Sequence, residues 1–175
     1  MQKLIQAVSI LAFASQAQAS MDLTVQDVYS RIESNLITTF PQKPKAKEPY
    51  YQAWLKSENS QQNRSISAFP NANGVVKQIR FEVYVCDTHK RPYSEESLMK
   101  EFAQFVADQS KAVLLSTIAV GEADMSKLRG KNDVQTLTIK PPTNGIQRMR
   151  VSRGFYKCDS TGGYGYRLDA FLGGS

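Results

Sequence analysis

Between Val75 and Cys86 the chain alternates almost without error. Val75, Ile79, Phe81, Val83 and Val85 take one parity and Gln78, Arg80, Glu82 and Tyr84 the other, with Lys77 the one exception. A period of two places the apolar side chains on one face of an extended strand and the polar ones on the other. Such a strand belongs in a sheet that is covered on one face only. The cover must come from elsewhere in the chain, and amphipathic helices are its usual source.

Two segments have the three- and four-residue spacing of a helix. From Asp22 to Phe40, Val25, Val28, Ile32 and Leu36 form a stripe, with Asp22 or Thr24 as cap and Pro41 as stop. Ser94 caps a second helix with Glu95 and Glu96 in its first turn, where the helix dipole favours acids. Its buried stripe is Leu98, Phe102, Phe105 and Val106. Val113 to Val120 fits either an extension of this helix or a strand, and Gly121 closes it in both cases. Tyr50 to Lys56, with Tyr51, Trp54 and Leu55, reads as a short docking helix, and the SENSQQNRS stretch after it as too polar to pack.

Three strands follow, over Val134–Lys140, Ile146–Cys158 and Tyr164–Phe171, joined by turns of hairpin length at 141–145 and 159–163. The expected fold class is α+β: an antiparallel or mixed sheet of four to five strands, helices packed on one face, and one disulfide.

The first nineteen residues have the layout of a secretory leader. Lys3 supplies the positive start, Leu4 to Ala14 the apolar run, and Ala17-Gln18-Ala19 the small-x-small cleavage site. That apolar run is about half of the roughly 20 residues a membrane span needs, so cleavage before Ser20 is expected rather than retention as an anchor. The leader reads as bacterial. The expected compartment is the periplasm, with full secretion as the alternative, and no transmembrane anchor is expected after cleavage. Residues 20–175 then form a single α+β domain, within which the Pro/Lys-rich stretch 41–49 is an extended connector.

An oxidising compartment makes Cys86 and Cys158 a disulfide. Each closes a strand candidate. If those strands are neighbours they run parallel in a mixed sheet; otherwise the bridge ties two loops just beyond the strands.

Composition narrows the chemistry further. The formal charge is +6, and loss of Lys3 takes it to +5, with 21 basic against 16 acidic residues. A modest positive excess favours anionic partners. No zinc-finger spacing, stacked-aromatic RNA motif or long basic block is present, so nucleic acid is not an expected partner. Two cysteines and one histidine do not complete a metal set, and no cofactor loop is found, so neither metal nor cofactor is expected. His89, flanked by Asp87 and Tyr93, is the one candidate general base, but no nucleophile motif accompanies it and Lys90 and Arg91 disfavour its cationic form. No catalytic residue is assigned. Glu95 with Glu96, and Glu122 with Asp124, are acids of helix starts and turns rather than a glycosidase pair.

The more informative constellation is the polar parity of the strands: Arg80 and Tyr84, then Arg148, Arg150 and Tyr156, then Tyr164 and Tyr166. Arginine and tyrosine together on one sheet face are the residue types of recognition surfaces, because the guanidinium forks onto carboxylate or phosphate and tyrosine adds area at low entropic cost. The sequence therefore predicts a small exported binding module for a protein or an anionic envelope polymer, for example an inhibitor or an immunity-type protein. An envelope hydrolase or transferase using His89 with a nearby carboxylate is the alternative.

Overall fold

The alternating run is a strand, and it lies at the middle of the sheet. In chain order the elements are helix α1 (Val25–Ser30), strands β1 (Ile37–Gln42), β2 (Tyr51–Leu55), β3 (Gln62–Pro70) and β4 (Val76–Cys86), helices α2 (Glu95–Leu114) and α3 (Glu122–Ser126), and strands β5 (Gln135–Ile139), β6 (Ile146–Lys157) and β7 (Gly162–Leu172). The computed structural model describes residues 22–32, 37–42, 50–57, 62–86, 93–128, 135–142, 145–158 and 162–173. The leader with its cleavage site, connector residues 43–49, and Asp87 and His89 lie outside the described residues.

Six strands, β2 to β7, form a regular sheet, and β1 adds to its edge with an irregular register, giving the order β1-β2-β3-β4-β7-β6-β5. Every pairing is antiparallel. The sheet therefore exceeds the expected four to five strands, and none of it is mixed. The extra strands all come from the first half of the chain. Tyr50 to Lys56 holds strand β2 and not a helix, because Ala53 and Leu55 go inward while Gln52 and Trp54 alternate with them. The polar stretch expected not to pack supplies the start of β3, where Gln62 and Ser65 are buried. The first helix stops at its cap residue Arg31 rather than reaching Phe40. Beyond it Ile37, Thr38 and Thr39, all β-branched, pair within β1. Thr24 is the N-cap and Asp27 completes its capping box.

The second half follows expectation closely. Ser94 caps α2 through Ser97 N, and Leu98, Phe102, Phe105 and Val106 are buried. The helix ends at Leu114, and Leu115 turns left-handed at φ 53°, so residues 115–120 are neither helix nor strand. Phe105 packs edge-on to Phe81 and Phe102 lies against Tyr166, and Leu98, Ile66 and Ile79 are buried in the same core on the helix side. Burying several such side chains at about 1.5–3 kcal/mol each is the main term holding the layers together. α1 is pinned to the same side by the Tyr29 hydroxyl, which donates to Tyr51 O at 2.6 Å, and by Arg31 Nη1, which donates to Val113 O at 2.8 Å.

Cys86 and Cys158 are bonded, with Cα atoms 5.7 Å apart. Their strands β4 and β6 point the same way but are not neighbours, because β7 runs between them. Neither arrangement open from sequence is met in full: Cys86 is the last residue of β4, paired with Gly163, and Cys158 follows the end of β6, so the bridge spans β7 beside Gly163, where a Cβ atom would stand 2.8 Å from Cys158 Sγ and 2.5 Å from Val85 O.

Candidate functional site

The face of the sheet away from the helices is a ladder of side chains in register across β4, β7 and β6. Its rungs are Gln78–Phe171–Arg148, Arg80–Asp169–Arg150, Glu82–Arg167–Ser152 and Tyr84–Gly165–Gly154, closed by Cys86–Gly163–Tyr156. Thr138 of β5 extends the second rung beside Arg150, and Ser67 of β3 extends it beside Arg80.

The charged end is organised around Asp169, which has no exposed surface. Arg80 Nε donates to its Oδ1 at 2.7 Å, Gln78 Nε2 to the same oxygen at 2.7 Å, and Arg150 Nη2 to Oδ2 at 3.0 Å. A buried carboxylate persists only when it is paired in this way. The guanidiniums also lie over rings: Arg80 Cζ is 4.9 Å from the centre of Phe69, and Arg148 Cζ is 4.2 Å from that of Phe171. One rung on, Glu82 accepts from the Tyr156 and Ser65 hydroxyls at 3.2 and 3.3 Å. Its Oε1 also lies 3.2 Å from Arg167 Nε, too poorly aligned for a hydrogen bond, so that N–H is buried without one.

At the other end glycine makes room for aromatics. A Cβ on Gly165 would stand 2.3 Å from Tyr84 Cβ, so only glycine allows Tyr84 to lean across β7. There its ring stacks on Tyr156 from two strands away, with centroids 4.4 Å apart and planes 4° from parallel. Trp54 closes the row edge-on to Tyr84 at 6.2 Å. Burial, and after it the charge of Glu82, pushes both tyrosine hydroxyls above their ordinary ionisation range. They are neutral hydrogen-bonding groups at physiological pH and not bases.

Of the seven residues the sequence grouped, five share this face: Arg80, Tyr84, Arg148, Arg150 and Tyr156. Tyr164 and Tyr166 do not. They pair opposite Val85 and Val83 and therefore point toward the helices. Tyr166 is fully buried and donates to Glu95 Oε1 at 2.8 Å, and the Tyr164 hydroxyl donates to Tyr93 O at 2.6 Å. A tyrosine can serve the core when its hydroxyl finds a partner, which is why residue type misassigned the phase. Phe155 shares the parity of Met149 and Val151 yet is 60 % exposed. Gly154 pairs in register with Gly165, and the register shift of this strand pair falls between Ile146 and Arg148.

Among the members of the ladder not grouped with it are Asp169, Arg167, Phe171 and Trp54. The first two were readable, since Arg167 and Asp169 alternate with Tyr166, Leu168 and Ala170 in the same way as the polar residues of β4.

On the helical side a groove of about 680 Å³ lies between α2 and α3. Its floor includes Met99, Val120 and Met125, and its rim carries Glu96, Lys100 and Glu122, with Lys100 Nζ 3.0 Å from Glu96. The rim leans acidic where the sheet face leans basic. Among the described residues no group of three or more His, Cys, Asp or Glu side chains is placed to hold a metal ion. No helix among them is long and apolar enough to cross a membrane.

Compared with known proteins, the chain matches no family model, no curated protein and no solved structure.

Proposed function

We propose that this protein is a small exported binding module, acting in the periplasm, whose recognition surface is the ladder face of its sheet. The partner in this reading is a protein or envelope polymer that presents anionic groups, and an inhibitor or immunity-type role fits it. The supporting observation is the ladder itself: Arg80, Arg148, Arg150 and Arg167 stand against two carboxylates, Glu82 and Asp169, beside a stacked Trp54–Tyr84–Tyr156 row on rigid paired strands. Groups held in place by neighbours lose little entropy on binding, and arginine, tyrosine and tryptophan are the usual anchors of an interface. The disulfide is compatible with the compartment.

The reading is tested by capturing partners from an envelope extract and measuring affinity for wild type and for the double variant Arg148→Glu, Arg150→Glu. Desolvated arginine anchors predict a loss of about thirtyfold or more, roughly 2 kcal/mol, in the affinity of the folded variant; because Arg150→Glu also takes a partner from buried Asp169, stability is measured alongside and should fall by about 2–3 kcal/mol. A partner that binds the folded double variant as tightly as wild type, at low and at moderate salt, rules this surface out.

A further inference from the structure

We propose that the Arg148 end of the ladder is a binding site for a terminal phosphate group. The assignment rests on the ladder face being the recognition surface, and it names the chemistry that surface reads. Arg148 and Arg150 flank one ring: their Cζ atoms are 4.2 and 5.8 Å from the centre of Phe171, which bounds the separation of the two cations at 10.0 Å. Stacking on the ring holds the Arg148 guanidinium without using its donors. Arg148 forms no ion pair with any described carboxylate.

Arg150 is positioned differently. Its Nη2 is held by Asp169 while the side chain stays 43 % exposed, so part of its fork faces solvent. Thr138, exposed and paired with Arg150, adds a hydroxyl on the same face.

Charge selects the ligand class. Arg80, Arg148 and Arg150 against Asp169 leave a local excess of two positive charges. A carboxylate neutralises one of them. A phosphate monoester, close to doubly ionised above pH 7, neutralises both and offers three acceptor oxygens to donors arriving from separate strands. The acidic rim of the α2–α3 groove disfavours the same ligand there.

The test is a titration of the oxidised full chain at about pH 8 and constant ionic strength, following arginine Nε–H resonances. The probes are acetate, inorganic phosphate, a soluble sugar phosphate, and vesicles of phosphatidylcholine with or without phosphatidic acid. Saturable binding of inorganic phosphate about tenfold or more tighter than acetate is expected, with the Arg148 resonance shifted. Arg148→Gln should weaken it about tenfold, and Lys111→Gln, an equal loss of charge on exposed α2 surface, by less than about twofold. Recruitment to phosphatidic acid places the phosphate on a lipid; a response to the sugar phosphate alone places it on a soluble ligand or glycan. Equal affinity for acetate and phosphate, or equal weakening by Arg148→Gln and Lys111→Gln, overturns the assignment. Arg148→Gln breaks no ion pair among the described residues, whereas a change at Arg150 would break its pair with Asp169, so Arg148→Gln is the variant that decides the matter. If phosphate selectivity is absent while the captured partner still loses affinity for the Arg148→Glu, Arg150→Glu variant, the phosphate assignment falls and the ladder remains the recognition surface.

Discussion

The two faces of the sheet are built from the same strands and are both largely buried, yet different things bury them. On the helix side α2 covers Phe81, Val83, Tyr166 and Leu168, and polar groups concentrate near its N-terminus, where Arg153 pairs with Glu95 at 2.8 Å and Tyr93 and Gln62 donate to Glu101. On the ladder side no described element lies above the strands. Even so, Ser65, Ser67 and Asp169 are closed off, because the long side chains of Arg80, Arg150, Tyr84 and Trp54 lie across the small residues between them. Low exposure on a sheet is therefore not evidence of an apolar core. One face is covered by a layer that must fold onto it, and the other by its own side chains, which stay within reach of a partner.

Core truncation should separate the faces most sharply. Phe102→Ala removes a ring packed on Tyr166 and should cost about 4 kcal/mol in urea unfolding, as large-to-small changes in close-packed interiors do. A loss below about 1 kcal/mol would mean that α2 is not the cover of the sheet. Second in size is Asp169→Ala on the ladder face, expected to cost about 3 kcal/mol because Arg80, Arg150 and Gln78 lose their common acceptor. If it proves neutral, the charged rung is ornament on a solvated surface and the contrast between the faces collapses.

A smaller effect tests tyrosines from both faces at once. Burial, helped by the Glu95 hydrogen bond, pushes the Tyr166 hydroxyl above its ordinary value of 10.0, and burial with the charge of Glu82 does the same for Tyr156. The unfolded chain ionises these groups near the ordinary value while the folded chain keeps them protonated. Their contribution is thus fully present below about pH 10 and is lost as the pH rises above it. Unfolding midpoints measured from neutral pH to about pH 11 should fall, and Tyr166→Phe and Tyr156→Phe should each flatten the alkaline limb. An unchanged limb in either variant would show that its hydroxyl is not buried in solution. The least effect on stability belongs to Arg148→Ala, within about 0.5 kcal/mol, since this side chain rests on Phe171 in the open.

Legibility followed chain position for a physical reason. In β4, α2, β6 and β7 the apolar residues are large and regularly spaced, so period and phase are readable without neighbours. In β2 and β3 the inward positions hold Ala53, Ala68 and Gln62 beside Leu55 and Ile66, and the outward ones include Trp54 and Phe69, which blurs the usual signal. Their strand character comes from pairing with β4, a partner that local pattern does not contain. The candidate site divides in the same way: arginine parity on β4 and β6 was visible, whereas Tyr164 and Tyr166 were assigned by residue type to a face their register denies them.

Sequence by itself determined the α+β class, the central alternating strand, the capped α2 helix, the C-terminal hairpins and the pairing of the only two cysteines. Each of these follows from local periodicity, capping chemistry or elimination, and needs no knowledge of what lies across the sheet. The tertiary structure alone decided that β7 inserts between β4 and β6. That insertion sets Asp169 between Arg80 and Arg150, lays Tyr84 against Tyr156 over glycine, and carries the disulfide past Gly163. Strand order is a matter of which edges meet, and edges are satisfied by backbone hydrogen bonds that every residue except proline can make, so side-chain pattern leaves their order open.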